Sequence, residues 1–276
     1  MKDHRLIETT EAFREEQGVT RRQALGKTAK LGLGLTLACA PAAATMLARR
    51  VYAQEAPPTP LEILNYALTL EYLEDSYYRQ GVAAAGLIPD GAARDAYTLI
   101  SQHETAHVAF LTAVIEGLEG EPVEFEDTAF DFTAGGTFDP FNDYPTFLTL
   151  SQAFEDTGVR AYKGQAAFIP RDAEFNGTNI LTAALQIHSL EARHAAEVRR
   201  LRAMMGESVQ PWIVLADGTA GTAVEAIYAG EDNVMQAGID TTMLGDGFSA
   251  EDASAAYDEP LTMAQVLAIA DPFLAS

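Results

Sequence analysis

Glu104-Thr105-Ala106-His107 and Glu191-Ala192-Arg193-His194 repeat one spacing, a glutamate three residues ahead of a histidine. In a helix, residues three apart share a face, so each pair presents a carboxylate and an imidazole together. Donors of this kind suit iron, manganese or zinc. Only four histidines follow residue 53 (His103, His107, His188 and His194), and two of them stand in such a pair. One pair alone is a weak signal; the sequence around the two makes it stronger.

Glu71 stands 33 residues before Glu104, and Glu155 stands 36 residues before Glu191. Each lies on an apolar stripe at helical spacing: Leu64, Leu68, Glu71, Tyr78 in one case, and Leu148, Glu155, Tyr162 in the other. Each is followed seven residues later by a tyrosine, Tyr78 or Tyr162. The chain thus repeats a unit: a helix with Glu and Tyr, then a helix with Glu-x-x-His. Apolar periodicity predicts helices over 61–85, 90–118, 145–168 and 176–205, punctuated by Gly86, Pro89, Gly117, Gly120, Pro170 and Gly206. The irregular stretch 119–143, with Gly135-Gly136 and Pro140, separates the two pairs of helices. Short loops make antiparallel neighbours and the long one makes a crossover, so the expected fold is an all-α four-helix bundle over 61–206. A mostly irregular or helical extension, 207–276, is expected to pack on it.

Such a bundle would bury four carboxylates and two imidazoles. Isolated buried carboxylates are costly, and mutual repulsion would force several to protonate. Two divalent cations remove the conflict, because four glutamates balance them and two neutral histidines complete the donor set. Glu74 can also point inward from the first helix, though the tyrosine spacing and the match with Glu155 favour Glu71. His103 and His188 lie off the donor positions.

Residues from Leu61 to Met205 resemble the ferritin-like superfamily, and in particular its exported members related to plant desiccation-associated proteins. The stretches Leu64–Glu74 and His103–His107 carry the likeness, with Tyr257–Thr262 near the end. The resemblance implies Glu71 and Glu155 as terminal ligands of two transition-metal ions, Glu104 and Glu191 as bridges, and His107 and His194 as caps. It implies that Tyr78 and Tyr162 support the carboxylates from behind. Iron or manganese would be the metal, with dioxygen or peroxide as the reacting partner in Fe(II) oxidation or peroxide removal. The alternative is a non-enzymatic stress or desiccation-related envelope protein whose metal site is structural or vestigial. A ferritin-type storage cage is not expected, since the crossover and extension would obstruct it, and a homodimer stays open.

The first 53 residues read differently. They hold 9 of the 18 Lys and Arg but only 5 of the 40 Asp and Glu, leaving Lys163 as the one lysine beyond them. Arg21-Arg22, an uncharged run over 31–48 and Val51-Tyr52-Ala53 resemble a twin-arginine export signal, although Ala24 stands where Phe is common. Residues 54–60 read as a linker. The expected location is periplasmic or extracellular; a retained segment would instead anchor the chain to a membrane. The net charge of -22 argues against a nucleic-acid partner. One cysteine, Cys39, excludes a disulfide framework within the chain.

Overall fold

The computed structural model describes residues 57–217, 224–245 and 247–275. The expected export segment, 1–53, and the run 31–48 within it lie outside the described residues. No helix among the described residues is long and apolar enough to cross a membrane.

Four long helices dominate: α1 (Pro60–Ala83), α2 (Ala92–Gly117), α3 (Tyr144–Ala166) and α4 (Ile180–Met204). Their starts follow capping chemistry. Thr59 and Glu62 form a reciprocal capping box ahead of Pro60. The Asp143 side chain accepts from the Thr146 amide, and that of Asn179 from the Thr182 amide. The helices pair chiefly as α1 with α2 and α3 with α4, and α1–α3 and α2–α4 contacts close the bundle. The mid-bundle connection is the long crossover expected from sequence.

The fourth helix starts later than the expected residue 176. Residues 174–179 form a tight hairpin instead, β1 (Glu174–Phe175) against β2 (Thr178–Asn179), with Phe175 opposite Thr178. Asn176 and Gly177 have φ of 51° and 75°, the positive pair that a two-residue hairpin turn requires. Phe175 is the one apolar residue in this segment, so the apolar stripe of α4 begins only at Ile180 and the Asn-Gly turn takes the residues before it.

Aromatic side chains from the crossover complete the core at one end. Phe132 and Phe141 pack on Tyr77, which stacks on Phe147 at 5.0 Å and donates to the Phe147 carbonyl. Asn65 clips the crossover to α1 through the Glu121 carbonyl and the Val123 amide.

The extension is tied to the bundle by buried arginines. It includes β3 (Met235–Gln236), β4 (Ile239–Asp240), α5 (Ala250–Ala255) and α6 (Met263–Ala270). Arg160 of α3 is wholly buried; it donates to the carbonyls of Ile227, Ala229 and Glu259 and pairs with Glu231 at 2.8 Å. Arg199 of α4 pairs with Asp156 at 2.5 Å and Asp217 at 3.1 Å. Gly164 lets the extension close in: a Cβ there would meet the Leu261 carbonyl oxygen at 1.9 Å.

Candidate metal centre

The six residues singled out from the sequence converge in the middle of the bundle. Glu71 comes from α1, Glu104 and His107 from α2, Glu155 from α3, and Glu191 and His194 from α4. The four glutamates are fully buried, and the two histidines nearly so. Their donor atoms fall into two tetrads, Glu71–Glu104–His107–Glu191 and Glu104–Glu155–Glu191–His194, each with its atoms within 4.8 Å of one another. Glu104 and Glu191 belong to both.

Glu104 divides its two oxygens between the tetrads. Its Oε2 lies 2.9 Å from His107 Nδ1, and its Oε1 lies 2.9 Å from His194 Nδ1. His107 Nδ1 is also 3.1 Å from Glu71 Oε2 and 3.5 Å from Glu191 Oε1. His194 Nδ1 is 3.3 Å from Glu155 Oε2. Several of these atoms are close without bonding: Glu104 Oε1, Glu155 Oε2, both oxygens of Glu191 and His194 Nδ1 are buried with no hydrogen-bond partner. Buried polar atoms without partners are rare in native proteins and call for an explanation such as an absent ion. Donors that crowd together yet fail to bond one another are what a cation between them would satisfy.

The sequence profile of the ferritin-like domain matches residues 59–204, just over half of the chain. The chain belongs to the ferritin-like domain family. No curated protein matches it. The matched span of this ferritin-like chain contains α1 to α4 and every donor of the two tetrads.

The electrostatics of the ferritin-like centre express a demand for positive charge. Burial drives the Glu191 carboxyl well above its ordinary range, and Glu104, Glu74, Glu71 and Glu155 add to the effect. Burial likewise raises Glu155, and pushes Glu71 up to about 7. Burial opposes charge on the histidines too, yet the carboxylates outweigh it. Glu104 and Glu71 hold His107 up at about 10, and Glu155 and Glu104 do the same for His194. Burial also opposes the charge on Glu104, but the adjacent His107 and His194 bring it down to about 2. Without metal, protons on the two imidazoles supply the charge that the carboxylates lack. Cations would displace them, since bound histidine is neutral.

The tyrosines reach across the bundle. Tyr78 of α1 donates to Glu155 Oε1 of α3 at 2.5 Å, and Tyr162 of α3 donates to Glu71 Oε1 of α1. Glu155 and Glu71 thus each have one oxygen held by a phenol and the other turned to the centre. Such outer partners orient metal ligands.

Two residues near the centre have roles that the spacing did not specify. His103 lies behind His194, its Nδ1 2.9 Å from His194 Nε2, with the rings nearly parallel. It sits on α2 and meets His194 on α4, a link that no spacing within one helix encodes. Glu74, the rival to Glu71, is buried but stands outside both tetrads. His188 is turned to the Val159 carbonyl at 3.0 Å.

Proposed function

We propose that this chain is an exported di-metal carboxylate protein that oxidises Fe(II) or breaks down peroxide at the centre of its bundle. The observation that carries the reading is the pair of tetrads sharing Glu104 and Glu191, with Glu104 turning one oxygen toward each histidine. Glu71 and His107 would complete one position, and Glu155 and His194 the other. The donor set fits iron or manganese: hard carboxylates with imidazole, and four negative charges for two divalent ions. Two redox-active ions would supply electrons to dioxygen or peroxide.

The chain's own residues prepare that chemistry. Tyr78 and Tyr162 hold the terminal carboxylates in register. The bundle excludes bulk water, which strengthens every charge interaction inside. An apolar cavity of about 20 Å³, room for one small molecule, runs from Ile63 and Leu111 to Tyr162, beside Glu71. Export rests on the Arg21-Arg22 segment and the uncharged run after it.

The test is metal analysis of purified protein reconstituted with Fe(II) or Mn(II) without oxygen. Two ions per chain are expected; fewer than one overturns the reading. Oxygen or peroxide is then added to the loaded protein. Rates no faster than free metal, and no faster than in Glu104→Ala/Glu191→Ala, would retain the metal site and reject the reaction. The mature N-terminus, read by mass, decides cleavage near residue 53.

A further inference from the structure

The centre follows the chain's internal repeat: Glu71 corresponds to Glu155, Tyr78 to Tyr162, Glu104 to Glu191 and His107 to His194. Two positions beside it break the repeat. Three residues past Glu71 stands Glu74, whereas three past Glu155 stands Gly158. One residue before Glu104 stands His103, whereas Leu190 precedes Glu191. His103 backs His194, so that departure belongs to the Glu155/His194 position.

Glu74 belongs there too. Gly158 lies on α3 one turn from Glu155, and the space its missing side chain leaves is bordered by two carboxylates. A Cβ on residue 158 would stand 3.1 Å from Glu191 Oε2 and 3.4 Å from Glu74 Oε1. Glu191 Oε2 has no hydrogen-bond partner and is fully buried. Glu74 is 3% exposed, and no hydrogen bond holds its carboxylate among the described residues. Of the neighbouring acids, Glu155 weighs most on it, ahead of Glu104 and Glu71. A cavity of about 20 Å³ bordered by Glu74, Gly158, Thr157 and Ala270 of α6 leaves this side chain loosely packed. A buried acid with neither donor nor cation is costly, and is found where a charge partner is due.

We propose that Glu74 is a seventh metal ligand, serving the ion at Glu155 and His194 and not the ion at Glu71 and His107. This rests on the di-metal reading above. It makes the two ions inequivalent: one position has four donors, and the other has the same set of four plus a carboxylate that swings in through the gap at Gly158. The pseudo-twofold arrangement of the bundle is broken on one side only.

The test is Mn(II) titration of chelator-stripped protein by calorimetry, with Glu74→Gln, surface Glu197→Gln as control, and both substitutions of Glu74 and histidine combined. Wild type is expected to bind in two steps of unequal affinity. Glu74→Gln weakens one step at least tenfold and leaves the other within twofold, while Glu197→Gln matches wild type. In a His107→Ala background, Glu74→Gln still weakens the remaining step; in a His194→Ala background it changes nothing. Equal weakening of both steps, or an effect that persists in His194→Ala, assigns Glu74 a structural role and overturns the proposal. Unchanged affinities in Glu74→Gln overturn it while leaving the di-metal reading intact. Wild type that takes up no Mn(II) overturns that reading and the proposal together. Glu74→Asp, which keeps the charge but draws it back, is the second variant should Glu74→Gln fail to fold; loss of the same step is expected, and retention of both overturns the proposal.

Discussion

Replacing Glu191 by glutamine should make the metal-free protein more stable and the metal-loaded protein less so. Both Glu191 oxygens are buried without a partner, and four other acids surround the group. An unsatisfied buried polar atom costs about 1–3 kcal/mol. The amide keeps the shape, is neutral without taking up a proton and offers N–H donors to the acceptors around it, so a gain of about 2–3 kcal/mol is expected. For a domain of this size each kcal/mol moves the midpoint by about 2–4 °C, giving a rise of about 4–12 °C in chelator. In Mn(II) at about 100 times Kd, wild type gains about 2.7 kcal/mol per occupied site. Glu191→Gln, having lost a donor shared by both tetrads, should gain far less. The assay is thermal unfolding of both proteins with chelator and with Mn(II). A variant that melts below wild type in chelator would refute the reasoning, because Glu191 would then be a net stabiliser of the empty bundle.

The other expectations concern pH, the phenols and the extension. Glu71, at about 7, and His107 and His194, at about 10, all sit above their unfolded values. Their stabilising contributions are therefore complete below those unfolded values and vanish as pH rises through the folded ones. Glu104, at about 2, acts in the opposite sense and matters only in acid. The unfolding midpoint in chelator should thus fall between about pH 5 and pH 10, while the increment from Mn(II) grows over the same range; a flat profile in chelator counts against the assigned burial. Tyr162→Phe should weaken the ion at Glu71 and Tyr78→Phe the ion at Glu155, each by about 10- to 100-fold in a Mn(II) titration. The crossed pattern fails if each phenylalanine affects the ion on its own helix. Gly164→Ala should push the Leu261 carbonyl off α3 and expose the extension to limited proteolysis, with the four helices still folded by circular dichroism. An unchanged digestion pattern would refute the close approach.

The four helices and the convergence of the six side chains were legible because they share one signal. A buried donor on a helix must recur on the face that carries the leucines, so the periodicity that marks the core also marks Glu71, Glu104, Glu155 and Glu191. The choice between Glu71 and Glu74 was harder, since residues three apart share a face and both proved buried. The partners of the tyrosines could have been inferred. Seven residues span about 10 Å along a helix, too far for Tyr78 to bond Glu71, so each phenol had to reach the opposite glutamate. His103 stayed obscure because its partner lies on another helix. The Asn176-Gly177 turn was readable from its dipeptide, with apolar spacing beginning only at Ile180. The ties of Arg160 and Arg199 to the extension involve backbone carbonyls up to 99 residues away, which no local pattern reveals.

Neither hairpin can build an ion position alone. The first tetrad borrows Glu191 from α4, the second borrows Glu104 from α2, and each phenol props up a carboxylate of the other half. On the di-metal reading, docking the two halves and completing the coordination cage would be a single event, and the ions available at that moment would become the fastener. If the chain leaves the cell already folded, as a twin-arginine leader would dictate, its metal is chosen by the cytosol in which it was assembled, whatever the composition of the medium where it ends its journey.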